Sequence, residues 1–135
     1  LTNLNENYNI SELVDNCLLK NKKKTIYILN ENNFLSEDCI LITRIFSQKL
    51  KRLLKIQNEL KSSKNIDNVI SSYKPPIFWK DKDVIKIQIQ KWPDYNIKKI
   101  LYKINDIEFL IKKNSYNGLN IISDFIIEQS EVINN

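Results

Sequence analysis

Two adjacent prolines, Pro75 and Pro76, constrain this chain more than any other feature. Proline fixes φ and lacks an N–H, and the residue before it is pushed out of the helical region. A helix arriving from Ile66 must therefore stop near Tyr73, and the next can begin only past Pro76, near Asp81. Ile77, Phe78 and Trp79 lie between them, apolar residues on a constrained loop that are expected to plug into a core. Elsewhere the chain has only Pro93 and a single glycine, Gly118. Gly-rich phosphate loops, tight hairpins and nucleophile elbows all need flexible backbone, so those templates are excluded.

What remains reads as amphipathic helix, and the expected fold is all-α, a five- to six-helix bundle. Residues 1–8 form a polar, Asn-rich lead-in, and residues 9–133 a single helical domain. Asn9 with Glu12 three residues on has the capping-box pattern of a helix start. Ile10, Leu13, Val14, Cys17 and Leu18 then make one apolar stripe. A second helix over Lys23–Asn32 buries Ile26, Ile28 and Leu29 and ends at Asn32-Asn33, after which Phe34 and Leu35 pack inward. Ser36-Glu37-Asp38, a capping hydroxyl and two carboxylates, opens a long helix to about Ser62 whose core face is Cys39, Ile42, Phe46, Leu50, Leu53 and Leu60. Lys61–Lys64 is a polar loop, and Asn65 caps a short helix from Ile66. Val84–Ile89 alternates with a period of two, as a strand would, but Ile85, Ile89 and Trp92 also keep helical spacing. No partner strand exists and a lone strand is unstable, which makes this stretch helix. Asp94–Asn114 carries Ile97, Ile100, Leu101, Ile104, Ile107 and Ile111 on one face. Ser115–Gly118 is a turn in which Gly118 can supply a positive φ, and Leu119–Val132 closes the domain with Ile122, Phe125, Ile126 and Ile133 inward.

Catalytic chemistry is hard to assemble from these residues. There is no histidine, so His-based metal sites and general bases are absent. Cys17 and Cys39 have no CxxC spacing and fall among apolar positions, as buried reduced thiols do. No cofactor, metal or catalytic residue is assigned. The lack of a signal peptide or membrane-length apolar run implies a cytoplasmic location. The net charge of +5 raises the nucleic-acid reading. Arg44, Lys51, Arg52 and Lys55 are the candidate phosphate contacts, with Lys22–Lys24 as a second basic cluster. Arginine occurs at only 2 of the 21 basic positions, however, and lysine is the weaker choice for bidentate contacts. A solvated lysine surface, drawn from an A/T-rich coding sequence, accounts for the same charge.

Lys74-Pro75-Pro76-Ile77-Phe78-Trp79-Lys80, the lysine-rich segment from Lys82 to Trp92, and Glu108 with Lys112 follow one another in an order that resembles the C-terminal region of the delta subunit of bacterial DNA polymerase III, part of the clamp loader. Leu13-Val14-Asp15 with Asn21-Lys22, and the aliphatic and basic run Ile40–Gln57, are similar to the helices that open the same region. Trp79 in place of the usual Phe, and Ile for Leu, are departures.

The resemblance implies a helical collar domain that packs against other clamp-loader subunits, of the gamma/tau and delta-prime type. It implies that the sliding clamp is gripped only by a domain outside these residues, that DNA is met through the assembly, and that no membrane is involved. The chain would be a non-catalytic part of the polymerase III holoenzyme. Lys74, Pro75, Pro76, Phe78, Trp79, Trp92, Glu108 and Lys112 are its loop and interface candidates. Of these, Phe78, Trp79 and Trp92 are expected to be buried anchors, and Glu108 and Lys112 a local helix pair. A basic helical nucleic-acid-binding module is the alternative.

Overall fold

Apolar residues at three- and four-residue spacing build seven α-helices in the computed structural model, which describes residues 2–63 and 65–132. They are α1 (Thr2–Leu18), α2 (Lys22–Glu31), α3 (Cys39–Leu60), α4 (Ile66–Ser72), α5 (Lys82–Lys91), α6 (Asp94–Lys113) and α7 (Gly118–Gln129). Single 3-10 turns at Ser36–Asp38, Trp79–Asp81 and Ser115–Asn117 lead into α3, α5 and α7. The all-helical class is as expected, with seven helices rather than five or six. Val84–Ile89 is helical, and the described residues contain no strand. No helix of the described residues is long and apolar enough to cross a membrane. Lys64, Ile133, Asn134 and Asn135 lie outside the described residues.

The spine is the pair α3 and α6, the most extensive helix–helix contact in the molecule. At 1.5 Å per residue α3 is about 33 Å long. It buries Cys39, Ile42, Phe46, Leu50, Leu53 and Ile56 against Ile97, Ile100, Ile104 and Ile111 of α6 and against Ile122, Phe125 and Ile126 of α7. Phe46 and Phe125 meet edge to face with ring centroids 5.3 Å apart. Helix α1 adds Ile10, Leu13, Val14, Cys17 and Leu18, all fully buried.

Several local expectations change. The first helix starts at Thr2, so Asn9 lies within it and caps nothing. A polar residue three before a glutamate looks the same inside a helix as at its start, and no glycine or proline in this segment stops the helix earlier. Leu35 is exposed while Phe34 is buried. The entry to α3 uses the Asp38 carboxylate, which accepts from the Leu35 N–H at 2.7 Å, instead of the Ser36 hydroxyl. Ile26 and Leu29 of α2 are half-buried, and Thr25 joins Ile28 inside. Gly118 has a helical φ of −55°. It is needed for closeness, because a Cβ there would come within 3.1 Å of Ile111 Cγ2. Asn65 caps α4 as expected, accepting from the N–H groups of Asp67 and Asn68 at 2.9 and 3.2 Å.

Candidate functional site

The diproline loop divides its aromatics between core and solvent. The Lys74–Pro75 peptide is cis. Ile77 enters the core, but Phe78 is 58% and Trp79 69% exposed, which corrects the expectation that they are buried anchors. One turn cannot aim three consecutive side chains at the same core. The 3-10 turn beginning at Trp79 carries it outward, where its ring lies 5.9 Å from Phe78 and 5.5 Å from the Lys80 ammonium. Trp92 is the anchor instead. It is 2% exposed, and its indole N–H donates to the Leu18 carbonyl at 2.8 Å.

That hydrogen bond belongs to a junction where three helices end. The last carbonyls of a helix have no partner within it. Lys91 donates to Leu19 O at 2.6 Å, Gln88 to Asp15 O at 3.0 Å, and Gln57 to both Ile89 O and Trp92 O at 2.9 and 2.7 Å. Lys20 completes the set, donating to Gln129 O at 2.7 Å with its ammonium 3.9 Å from the Trp92 ring centroid. Its backbone is left-handed, φ 61°, and closes α1 through the bonds Lys20 N–H to Cys17 O and Asn21 N–H to Asn16 O. Glycine is the usual residue at such a position. Burial holds the Lys20 ammonium below the ordinary lysine range. A groove of about 750 Å³ runs past this junction, lined in part by Lys20, Lys91, Trp92, Lys99 and Lys103. Lys20 and Lys91 are committed to helix C-termini, whose negative ends disfavour a bound anion, and Lys103 pairs with the Glu128 carboxylate at 3.3 Å. The groove is therefore a product of the joint between helices.

The basic candidates on α3 separate. At 100° per residue Arg44, Lys51 and Lys55 share one side of the helix, and Arg52 is turned about 80° away. Arg44 Nε lies 3.8 Å from the Glu108 carboxylate, and Lys55 donates to Lys74 O at 3.4 Å and stands 4.9 Å from the Tyr73 ring. Lys51 is exposed and Arg52 half-buried. Lys22 pairs with Glu131 at 2.8 Å and Lys24 with Glu12 at 4.0 Å. Glu108 and Lys112 form the expected local pair at 3.4 Å. Glu108 also accepts from the Thr43 hydroxyl at 3.2 Å, so the same carboxylate ties α6 to α3.

The most conspicuous surface escaped the sequence reading. Tyr95, Tyr102 and Phe109 stand seven residues apart along α6 and are 68, 77 and 58% exposed. They point roughly 150–170° away from the mean direction of Ile97, Ile100, Ile104 and Ile111, and succeed one another every 10.5 Å or so. Tyr116, also exposed, continues the interval in the following 3-10 turn. Lys98, Lys99, Lys112 and Lys113 are exposed along the same helix, with Lys113 4.5 Å from the Phe109 ring. The signal was present as an aromatic repeat of seven, laid over the aliphatic pattern that marks the core.

Chemically the molecule offers surfaces. Among the described residues no three His, Cys, Asp or Glu side chains are grouped to hold a metal ion. Burial pushes the Cys17 thiol up to about 12, and its Sγ lies 3.3 Å from Ile126 O. Cys39 is also buried, with its thiol raised by burial. Neither is an activated nucleophile. Comparisons with protein-family models, curated proteins and solved structures find no match for this chain.

Proposed function

We propose that this chain is a non-catalytic oligomerisation module that packs against other protein subunits, in the manner of the collar domain of a clamp-loader delta subunit. The α6 face carries the reading. Three large aromatics in register on one helix, each more than half exposed, form the kind of unpartnered apolar surface that marks an interaction site. Tyrosine is also enriched among the residues that dominate interface energetics. The assignment to the clamp loader rests on the resemblance over Lys74–Lys80, Lys82–Trp92 and the Glu108–Lys112 pair. In this reading the collar helps assemble the loader while other domains hold the sliding clamp and hydrolyse ATP.

Mixing the chain with full-length gamma/tau and delta-prime type subunits tests this. The expected result is a stable complex that co-migrates on a sizing column. Failure to co-migrate, together with a steeply salt-dependent affinity for DNA that is lost on charge reversal of Lys51 and Lys55, overturns it in favour of a nucleic-acid-binding module.

A further inference from the structure

A second, smaller pocket of about 300 Å³ lies between α3 and the diproline turn, where the fold brings together residues far apart in sequence. Ile45, Gln48, Lys49 and Arg52 supply one wall from α3, and Tyr73, Pro75 and Pro76 the other. Arg52 Nε is buried and has no hydrogen-bond partner. Among the described residues no carboxylate lies within salt-bridge distance of its guanidinium. A guanidinium cannot shed its charge, and a buried N–H left unpaired is destabilising, so such a group points to a missing acceptor. The neighbouring cations are already engaged, Lys49 by Asp15 at 2.8 Å and Lys55 by Lys74 O.

We propose that this pocket binds a carboxylate on an aliphatic stem, with Arg52 as the group that receives it. Arginine presents a planar fork of donors that matches a carboxylate. The walls choose among oxyanions. Ile45, the Tyr73 ring and the two prolines form apolar sides suited to methylene groups, and the volume stands at the lower end of ligand cavities. The ligand is thus an acidic side chain of a partner protein or a small free dicarboxylic acid. The pocket is argued independently of the α6 face, and its test does not read assembly.

The test is a titration of the ¹⁵N-labelled chain with potassium glutarate at constant ionic strength, following the Arg52 Nε–H resonance. A saturable shift that chloride does not produce is expected. Arg52→Lys keeps the charge but lacks Nε, and should bind glutarate about tenfold more weakly, read from the backbone amides of Tyr73 and Ile77. A melting curve checks that this variant is folded, and Arg44→Gln should bind as the parent does. A capped glutamate tripeptide that binds more tightly than glutarate identifies a partner's side chain as the source, and the reverse order identifies a free acid. Either order upholds the site. Non-saturating drift equal to that in chloride, saturation by inorganic phosphate but not glutarate, or undiminished binding by Arg52→Lys overturns it.

Discussion

Replacing each tryptophan in turn by phenylalanine separates the buried anchor from the exposed one. Trp92→Phe keeps a ring in the core but removes the indole N–H, leaving the Leu18 carbonyl without its donor at the end of α1. An orphaned buried acceptor costs about 1–3 kcal/mol. The smaller ring also leaves a void where Trp92 was 2% exposed, which adds about 1 kcal/mol. The sum is about 2–4 kcal/mol, and at about 3–5 °C per kcal/mol for a chain of this size the midpoint falls by about 6–20 °C. Trp79→Phe, at a side chain 69% exposed, should change stability by less than about 0.5 kcal/mol. Circular-dichroism melts and urea curves at constant slope measure both. Acrylamide should quench the Trp79 fluorescence that remains in Trp92→Phe far more than the Trp92 fluorescence in Trp79→Phe. Equal losses of stability, or a loss under about 0.5 kcal/mol for Trp92→Phe, would refute the assignment of the two roles.

Other consequences follow from the junction and the core. Lys20→Gly relieves a left-handed backbone by about 1 kcal/mol but forfeits the charged hydrogen bond to Gln129 O and the contact with Trp92. The variant should be less stable by about 1–2 kcal/mol in urea unfolding, against the usual gain from glycine at a helix C-terminus. The Cys17 thiol, raised from 9.0 to about 12, stays protonated in the folded chain when its unfolded counterpart ionises. The native state then binds more protons, so the slope of unfolding free energy with pH is negative. This contribution is fully present below pH 9 and is lost as pH rises from 9 towards 12. Cys17→Ala should remove that part of the alkaline decline in urea midpoints. Cys17 should also resist an aromatic disulfide reagent until the chain is unfolded.

Periodicity disclosed the helices because burial leaves its mark at three and four residues. Ile85, Gln88 and Ile89 are inside on α5 while Ile87 faces out, so the isoleucines that alternate as in a strand do not share one face of the helix. Asn65 was readable as a cap because the turn before α4 is polar and the helix after it apolar. Asn9 misled because the capping pattern is local, and nothing in four residues tells a start from a middle. Phe78 and Trp79 misled differently. Hydropathy marks them as apolar, but which of three residues after the prolines turns inward is decided by the path of the chain. Arg52 was grouped with Arg44, Lys51 and Lys55 by charge, although its angle on α3 aims it at residues some twenty positions later. Tyr95, Tyr102 and Phe109 went unnoticed for the converse reason, since a core-seeking search treats tyrosines beside an isoleucine stripe as its flank.

The α6 face itself is the most direct test. Tyr102→Ala combined with Phe109→Ala removes two aromatics that are 77 and 58% exposed, so the melting temperature of the isolated chain should hold nearly constant. Calorimetric titration of that double variant into full-length clamp-loader subunits should show affinity at least about 30-fold weaker than the parent chain. Undiminished binding by a folded double variant would contradict the claim that this face joins the chain to its partners.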